Sequence, residues 1–117
     1  MTHSEHYNLY QTGVALIEKK AFAEAADMLQ QSARLRPHFK TFERIGECFV
    51  ELGRINEAIL YFSAASGLGN KQYKALYLLA KALIEIGDLD AAKAKLNEAL
   101  QLNPSFKAAK ELQSKLP

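Results

Sequence analysis

Apolar residues recur three and four positions apart along nearly the whole chain. Phe42, Ile45, Phe49 and Leu52 form one stripe, and Ile55, Ala58, Ile59, Phe62 and Ala65 form the next. This is the period of an amphipathic helix and not of a strand. The pattern predicts seven helices, at about 5–19, 23–35, 39–52, 55–67, 72–86, 89–102 and 105–115, and no strands. Connections of only a few residues make successive helices antiparallel neighbours. Between stripes stand Leu52-Gly53-Arg54 and Ile86-Gly87-Asp88. A glycine there can take the left-handed conformation that ends a helix, and Asp88 can cap the helix that follows. Lys20 holds the equivalent place in the first unit, which predicts a strained turn there. Pro37 and Pro104 punctuate the ends of two units.

The stripes belong to a longer period. Sliding the chain against itself by 33 and then 34 residues aligns Gly13 with Gly46 and Ala80, Ala25 with Ala58 and Ala92, and Leu29 with Phe62 and Leu96. Leu16, Phe49 and Leu83 share another column, as do Ser32, Ala65 and Ala99. Small residues fall on small ones and bulky apolar residues on bulky ones, while the polar positions vary. A glycine inside a helix costs about 1 kcal/mol relative to alanine. Gly13 and Gly46 therefore predict close backbone approach, with Ala25 and Ala58 as the expected partners across each pair. Each helix pair keeps an apolar face that the next pair can bury.

These columns resemble the tetratricopeptide repeat. The pattern is clearest in GECFVELGRINEAILYFSAA (46–65) and AKALIEIGDLDAAKAKLNEALQLNP (80–104), and looser in GVALIEKKAFAEAADMLQQSARLRP (13–37). It departs at Leu9 and Leu76, where an aromatic is usual, at Thr12, where an apolar residue is usual, and at Asn70, which replaces a proline. The resemblance implies an all-α, right-handed α-α superhelix of about three helix pairs plus a C-terminal capping helix. The expected organisation is a single domain over 1–117, with repeats at about 6–38, 39–72 and 73–106 and a capping helix at 105–115. Phe106, Ala109, Leu112 and Leu116 form the apolar edge of that last helix. The resemblance further implies a protein–protein interaction module, an adaptor, scaffold or chaperone-like protein, that binds a peptide or helix on its concave face. No catalytic activity and no cofactor are implied.

That concave face is built from the first helix of each pair. Its expected partner-binding residues are Tyr7, Tyr10, Val14, Arg44, Glu47, Lys74, Tyr77, Leu78 and Lys81. Ile17, Lys40, Glu43, Val50, Glu51, Ile84 and Glu85 lie off the packing stripes beside them, and Glu111 and Lys115 could join from the closing helix. Tyrosine suits such a surface, offering large area, few rotors and a polar tip. Some family members hold the C-terminal carboxylate of a heat-shock chaperone with two asparagines, two lysines and an arginine. The matching positions here are Tyr10, Val14, Arg44, Lys74 and Leu78, of which Lys74 alone agrees, so that specificity is not expected. The alternative function is a self-associating structural or regulatory subunit of a larger assembly, with a homodimer formed through an N-terminal end that lacks a capping helix. Three-repeat bacterial secretion chaperones carry an added N-terminal helical region, which is expected to be missing here.

Composition narrows these options. The formal net charge is only +2, from 15 basic and 13 acidic residues spread along the helices, so no nucleic-acid partner is expected. The single cysteine, Cys48, excludes an internal disulfide and reads as a small buried filler. No apolar run approaches the ~20 residues of a membrane span, and no secretory signal is visible, so a cytoplasmic location is expected. His3 and His6 could touch one metal, but two ligands do not make a site, and none is expected. SGLGNK (66–71) follows a helix rather than a strand and reads as a turn, not a phosphate loop. His38 shows no evident partner.

Overall fold

Seven helices follow one another in the computed structural model, which describes residues 4–69 and 72–117. They are α1 (Glu5–Glu18), α2 (Phe22–Leu35), α3 (Phe39–Glu51), α4 (Ile55–Ser66), α5 (Tyr73–Glu85), α6 (Leu89–Leu102) and α7 (Lys107–Ser114). There is no strand among the described residues. His3, weighed above with His6 as a metal pair, lies outside the described residues, as do Asn70 and Lys71 of the 66–71 turn.

Each helix packs chiefly on its neighbours in sequence: α1 on α2, α3 on α4, α5 on α6, then α2 on α3 and α4 on α5. Both α1 and α5 also lean on α3, so the first helices line up along one side. The result is an elongated right-handed superhelix measuring 50 × 28 × 20 Å.

The small columns explain how closely the pairs approach, although the contact differs in detail from the expected one. A Cβ placed on Gly13 would lie 2.6 Å from Cγ of Leu29, and one on Gly46 would lie 2.6 Å from Cδ1 of Phe62. Each glycine thus accommodates the bulky residue four positions after the alanine, with the Ala25 carbonyl oxygen as a further neighbour at Gly13. A side chain reaches back over the preceding turn of its own helix, which brings Leu29 and Phe62 over the glycines. Ala25, Ala58 and Ala92 are themselves completely buried. Leu29, Phe62 and Leu96 form the centre of the core, each contributing roughly 1.5–3 kcal/mol through burial.

The turns repeat as closely as the helices. After α1, Lys20 N–H donates to the Ile17 carbonyl at 2.8 Å and Ala21 N–H to Leu16 at 2.9 Å. Gly53 with Arg54, and Gly87 with Asp88, make the same two bonds after α3 and α5. This double closure requires a left-handed residue. Gly53 and Gly87 supply it at φ 76° and 83°, and Lys20 is forced to φ 62°, as the sequence predicts. Asp88 caps α6 by accepting from Ala91 N–H at 3.2 Å. His38, in contrast to the expectation, has a partner: its Nδ1 accepts from Lys40 N–H at 3.1 Å and caps α3, with the ring stacked on Phe39.

Links between elements complete the stack. Ser32 Oγ donates to the His6 carbonyl at 2.6 Å, tying α2 to α1. Tyr61 packs its ring against Phe42 and Phe49, and its hydroxyl accepts from Gln30 Nε2 at 2.9 Å. On α7, Ala109 is fully buried and Leu112 packs on the core, as do Phe106 just before the helix and Leu116 just after it, the residues anticipated for the closing edge.

Candidate partner-binding groove

The face formed by α1, α3 and α5 carries a cavity of about 610 Å³. The repeat arithmetic dictates its walls. Ile17, Val50 and Ile84 are equivalent positions one helical turn before the turn residues, and all three line it. The next residues, Glu18, Glu51 and Glu85, line it as well. Cys48, Ala82 and Phe62 form part of the floor, Phe22 and Ile55 reach in from the second helices, and Leu112 of α7 contributes from the far end.

Of the residues expected at the groove, Arg44, Glu47, Leu78 and Lys81 line this cavity. Tyr7, Tyr10, Val14, Lys74 and Tyr77 stand outside its lining. Tyr10 is connected to it, because its hydroxyl accepts from Arg44 Nε at 3.4 Å. That hydrogen bond is the main cause raising the Arg44 pKa, so the guanidinium is held charged. Tyr77 packs edge-on to Phe106, the residue just before α7, at 5.3 Å, and Lys81 Nζ sits 5.5 Å from the centre of the Tyr77 ring. Tyr7 is 54% exposed, with its hydroxyl accepting from Gln11 at 2.6 Å. Val14 is half-buried and Lys74 exposed.

Two groups behave differently from open groove residues. Glu43, placed among the residues off the packing stripe, is buried. Burial raises its pKa above the ordinary carboxylate value, Lys74 opposes the shift, and Glu47 adds to it. Burial also pushes the Cys48 thiol up to about 11, with Glu47 reinforcing the effect, so at neutral pH it is an unreactive filler in the cavity floor. The sequence reasoning did not single out Glu18, Phe22, Ile55 or Leu112 as wall residues. The column 18/51/85 was readable in the repeat, whereas the contribution of the second helices and of α7 depends on the curvature of the stack.

Among the described residues, no helix is long and apolar enough to cross a membrane, and no cluster of three or more His, Cys, Asp or Glu is arranged to hold a metal ion.

Stacked antiparallel helix pairs, with first helices lining a shared concave face, define a helical-repeat solenoid. The chain belongs to the tetratricopeptide repeat family, whose model matches residues 49–116. It is 30% identical to a TPR repeat-containing protein of Methanocaldococcus jannaschii, over 92% of this chain and 19% of that protein. It is 28% identical to the outer dynein arm-docking complex subunit 4 of Xenopus laevis, over 80% of this chain and 18% of that protein. The chain thus spans about a fifth of the length of these curated relatives.

Among solved structures, it superposes on the first TPR of Spaghetti (RPAP3) bound to the HSP90 peptide SRMEEVD with a TM-score of 0.89 at 18% identity, covering 96% of this chain and 90% of that one. It superposes on the Yersinia enterocolitica type III secretion chaperone SycD in complex with a peptide of the translocator YopD with a TM-score of 0.82 at 22% identity, covering 93% and 84%. Likeness at these identities is a likeness of fold.

Proposed function

We propose that this chain is a peptide-docking interaction module whose partner segment lies in the groove of α1, α3 and α5. One observation carries the reading: a cavity of about 610 Å³ opens on that face, within the size range of ligand sites and walled by ten apolar and seven charged side chains. Proteins of the same fold hold peptides, an HSP90 peptide in one case and a YopD peptide in another. Leu78 and Val50 would receive an apolar side chain, and Arg44, Glu47 and Lys81 would select its polar neighbours. Tyr10 and Tyr77 act as supports, fixing Arg44 and flanking Lys81, while Tyr7 and Lys74 extend the surface toward the starts of α1 and α5 and Val14 adds to it from the second half of α1. Because Lys74 alone agrees with the residues expected at the five carboxylate-holding positions, a chaperone C-terminal tail is not the expected ligand.

Self-association through α1 has less support. Thr41, Ile45 and Cys48 of α3, and Ala75, Leu79 and Ala82 of α5, are buried. Their counterparts on α1 are Asn8, Thr12 and Ala15, all exposed. Thr12 satisfies its hydroxyl on the Asn8 carbonyl at 2.9 Å. A second copy would find little apolar area there.

The test is affinity capture from source-cell lysate with wild type and Val50→Asp, read by mass spectrometry, with light scattering on both. The expected outcome is a protein retained by wild type and lost by the variant, from a monomeric bait. Identical captures by the two baits would remove the groove from the mechanism, and a dimer dissociated by substitution at Thr12 would favour self-association instead.

A further inference from the structure

The groove reading leaves the chemistry of the partner open, and the helix ends constrain it. Glu18, Glu51 and Glu85 are the last residues of α1, α3 and α5, all are exposed, and all line the cavity. A carboxylate at that point lies against the negative end of its helix dipole, which is unfavourable for the helix. No ion pair among the described residues includes any of the three. The ion pairs present are Arg54–Glu57 and Lys95–Glu98, and no member of either lines the cavity. Glu47 adds a further carboxylate one turn before Glu51 in the same cavity wall. Of the cations lining the cavity, Arg44 is hydrogen-bonded to Tyr10, Lys81 lies over the Tyr77 ring, and Lys20 stands in the strained turn. Four carboxylates against these three cations leave the lining with a formal charge of −1, with Glu18, Glu51 and Glu85 together at the helix ends, in a chain whose formal net charge is +2. Beside the acidic row runs the apolar one of Ile17, Val50 and Ile84.

Resting on the groove reading above, we infer that the occupant is a basic amphipathic segment of a partner protein. Its large apolar side chains sit on the isoleucine–valine–isoleucine row, and its lysines or arginines meet the glutamates at the ends of the first helices. Charge complementarity selects this occupant over an acidic segment. The glutamates are costly to the free fold at the position they share, and a basic segment is the kind of partner that turns that cost into binding.

The test uses fluorescence anisotropy with labelled synthetic peptides that share the same leucines and differ only in their flanking residues, which are Lys, Gln or Glu. They are titrated into wild type, into Val50→Asp and into Glu18→Gln/Glu51→Gln/Glu85→Gln. At low salt the Lys peptide is expected to bind about tenfold more tightly than the Glu peptide, with the margin shrinking as salt is added. The triple variant is expected to lose most of that margin while its Tm holds or rises. Equal binding of the Lys and Glu peptides, or preference for Glu, overturns the basic-partner inference and leaves the groove reading standing. Failure of all three peptides to bind, or binding unchanged in Val50→Asp, removes the groove reading and this inference with it.

Discussion

Replacing Gly46 with alanine separates two opposing effects whose sizes can be compared. In an exposed helix the change would stabilise by about 1 kcal/mol. Here the new methyl would lie 2.6 Å from Cδ1 and 2.9 Å from Cζ of Phe62, and closer still to Cε1. The Phe62 ring is 1% exposed and enclosed by the core, so it cannot swing aside. Overpacking of this kind costs about 1–3 kcal/mol, and an overlap with a rigid ring belongs at the upper end. The net expectation is a loss of about 1–2 kcal/mol. With an unfolding entropy of about 2.1 cal/mol/K per residue over 117 residues, that lowers Tm by about 4–8 °C, measured by circular dichroism at 222 nm. The third unit supplies the control, because it pairs Ala80 with Leu96 where the second pairs Gly46 with Phe62. Gly46→Ala combined with Phe62→Leu should therefore be about 1–2 kcal/mol more stable than the sum of the single changes predicts. A rise in Tm for Gly46→Ala alone, or strict additivity in the cycle, would refute close packing as the reason for the glycine.

The remaining predictions concern the turn and the buried carboxylate. Lys20→Gly should raise Tm by about 2–4 °C, because a non-glycine residue in the left-handed region costs about 1–2 kcal/mol, partly offset by the extra freedom glycine gives the unfolded chain; an unchanged or lowered Tm would show that the turn is not strained. Glu43 holds its proton more tightly in the folded state than in the unfolded one. Its contribution is therefore most favourable below the ordinary carboxylate value and declines as pH rises through the raised one. Glu43→Gln should raise Tm at neutral pH, with the advantage over wild type shrinking as pH falls below the ordinary carboxylate value; parallel profiles would refute the assignment.

The fold was legible because its information is redundant. The columns Gly13/Gly46/Ala80 and Leu29/Phe62/Leu96 state the same packing rule in each unit. Helix ends fall within two residues of those expected, since Gly53, Gly87 and Asp88 mark them by backbone chemistry. The groove was less legible. Periodicity separates the packing stripe from the rest of a helix, but it does not distinguish an open position from one covered by a neighbouring unit. Glu43 therefore passed for an exposed residue although α3 carries it into a buried setting, and Tyr77 gave no sign that Phe106, almost thirty positions later, would take up its ring edge. His38 as a cap was also unmarked, because an imidazole is not among the usual capping side chains.

The way each helix rests on its immediate neighbours makes the molecule a short spring. Unit one and unit three are coupled mainly through α3 and α4, so twist at one end reaches the other only after passing through the middle coil. A segment laid across the ends of α1, α3 and α5 would act as a strut between the outer coils. Binding would then fix the pitch of the superhelix, and three helix pairs able to loosen in turn would melt together.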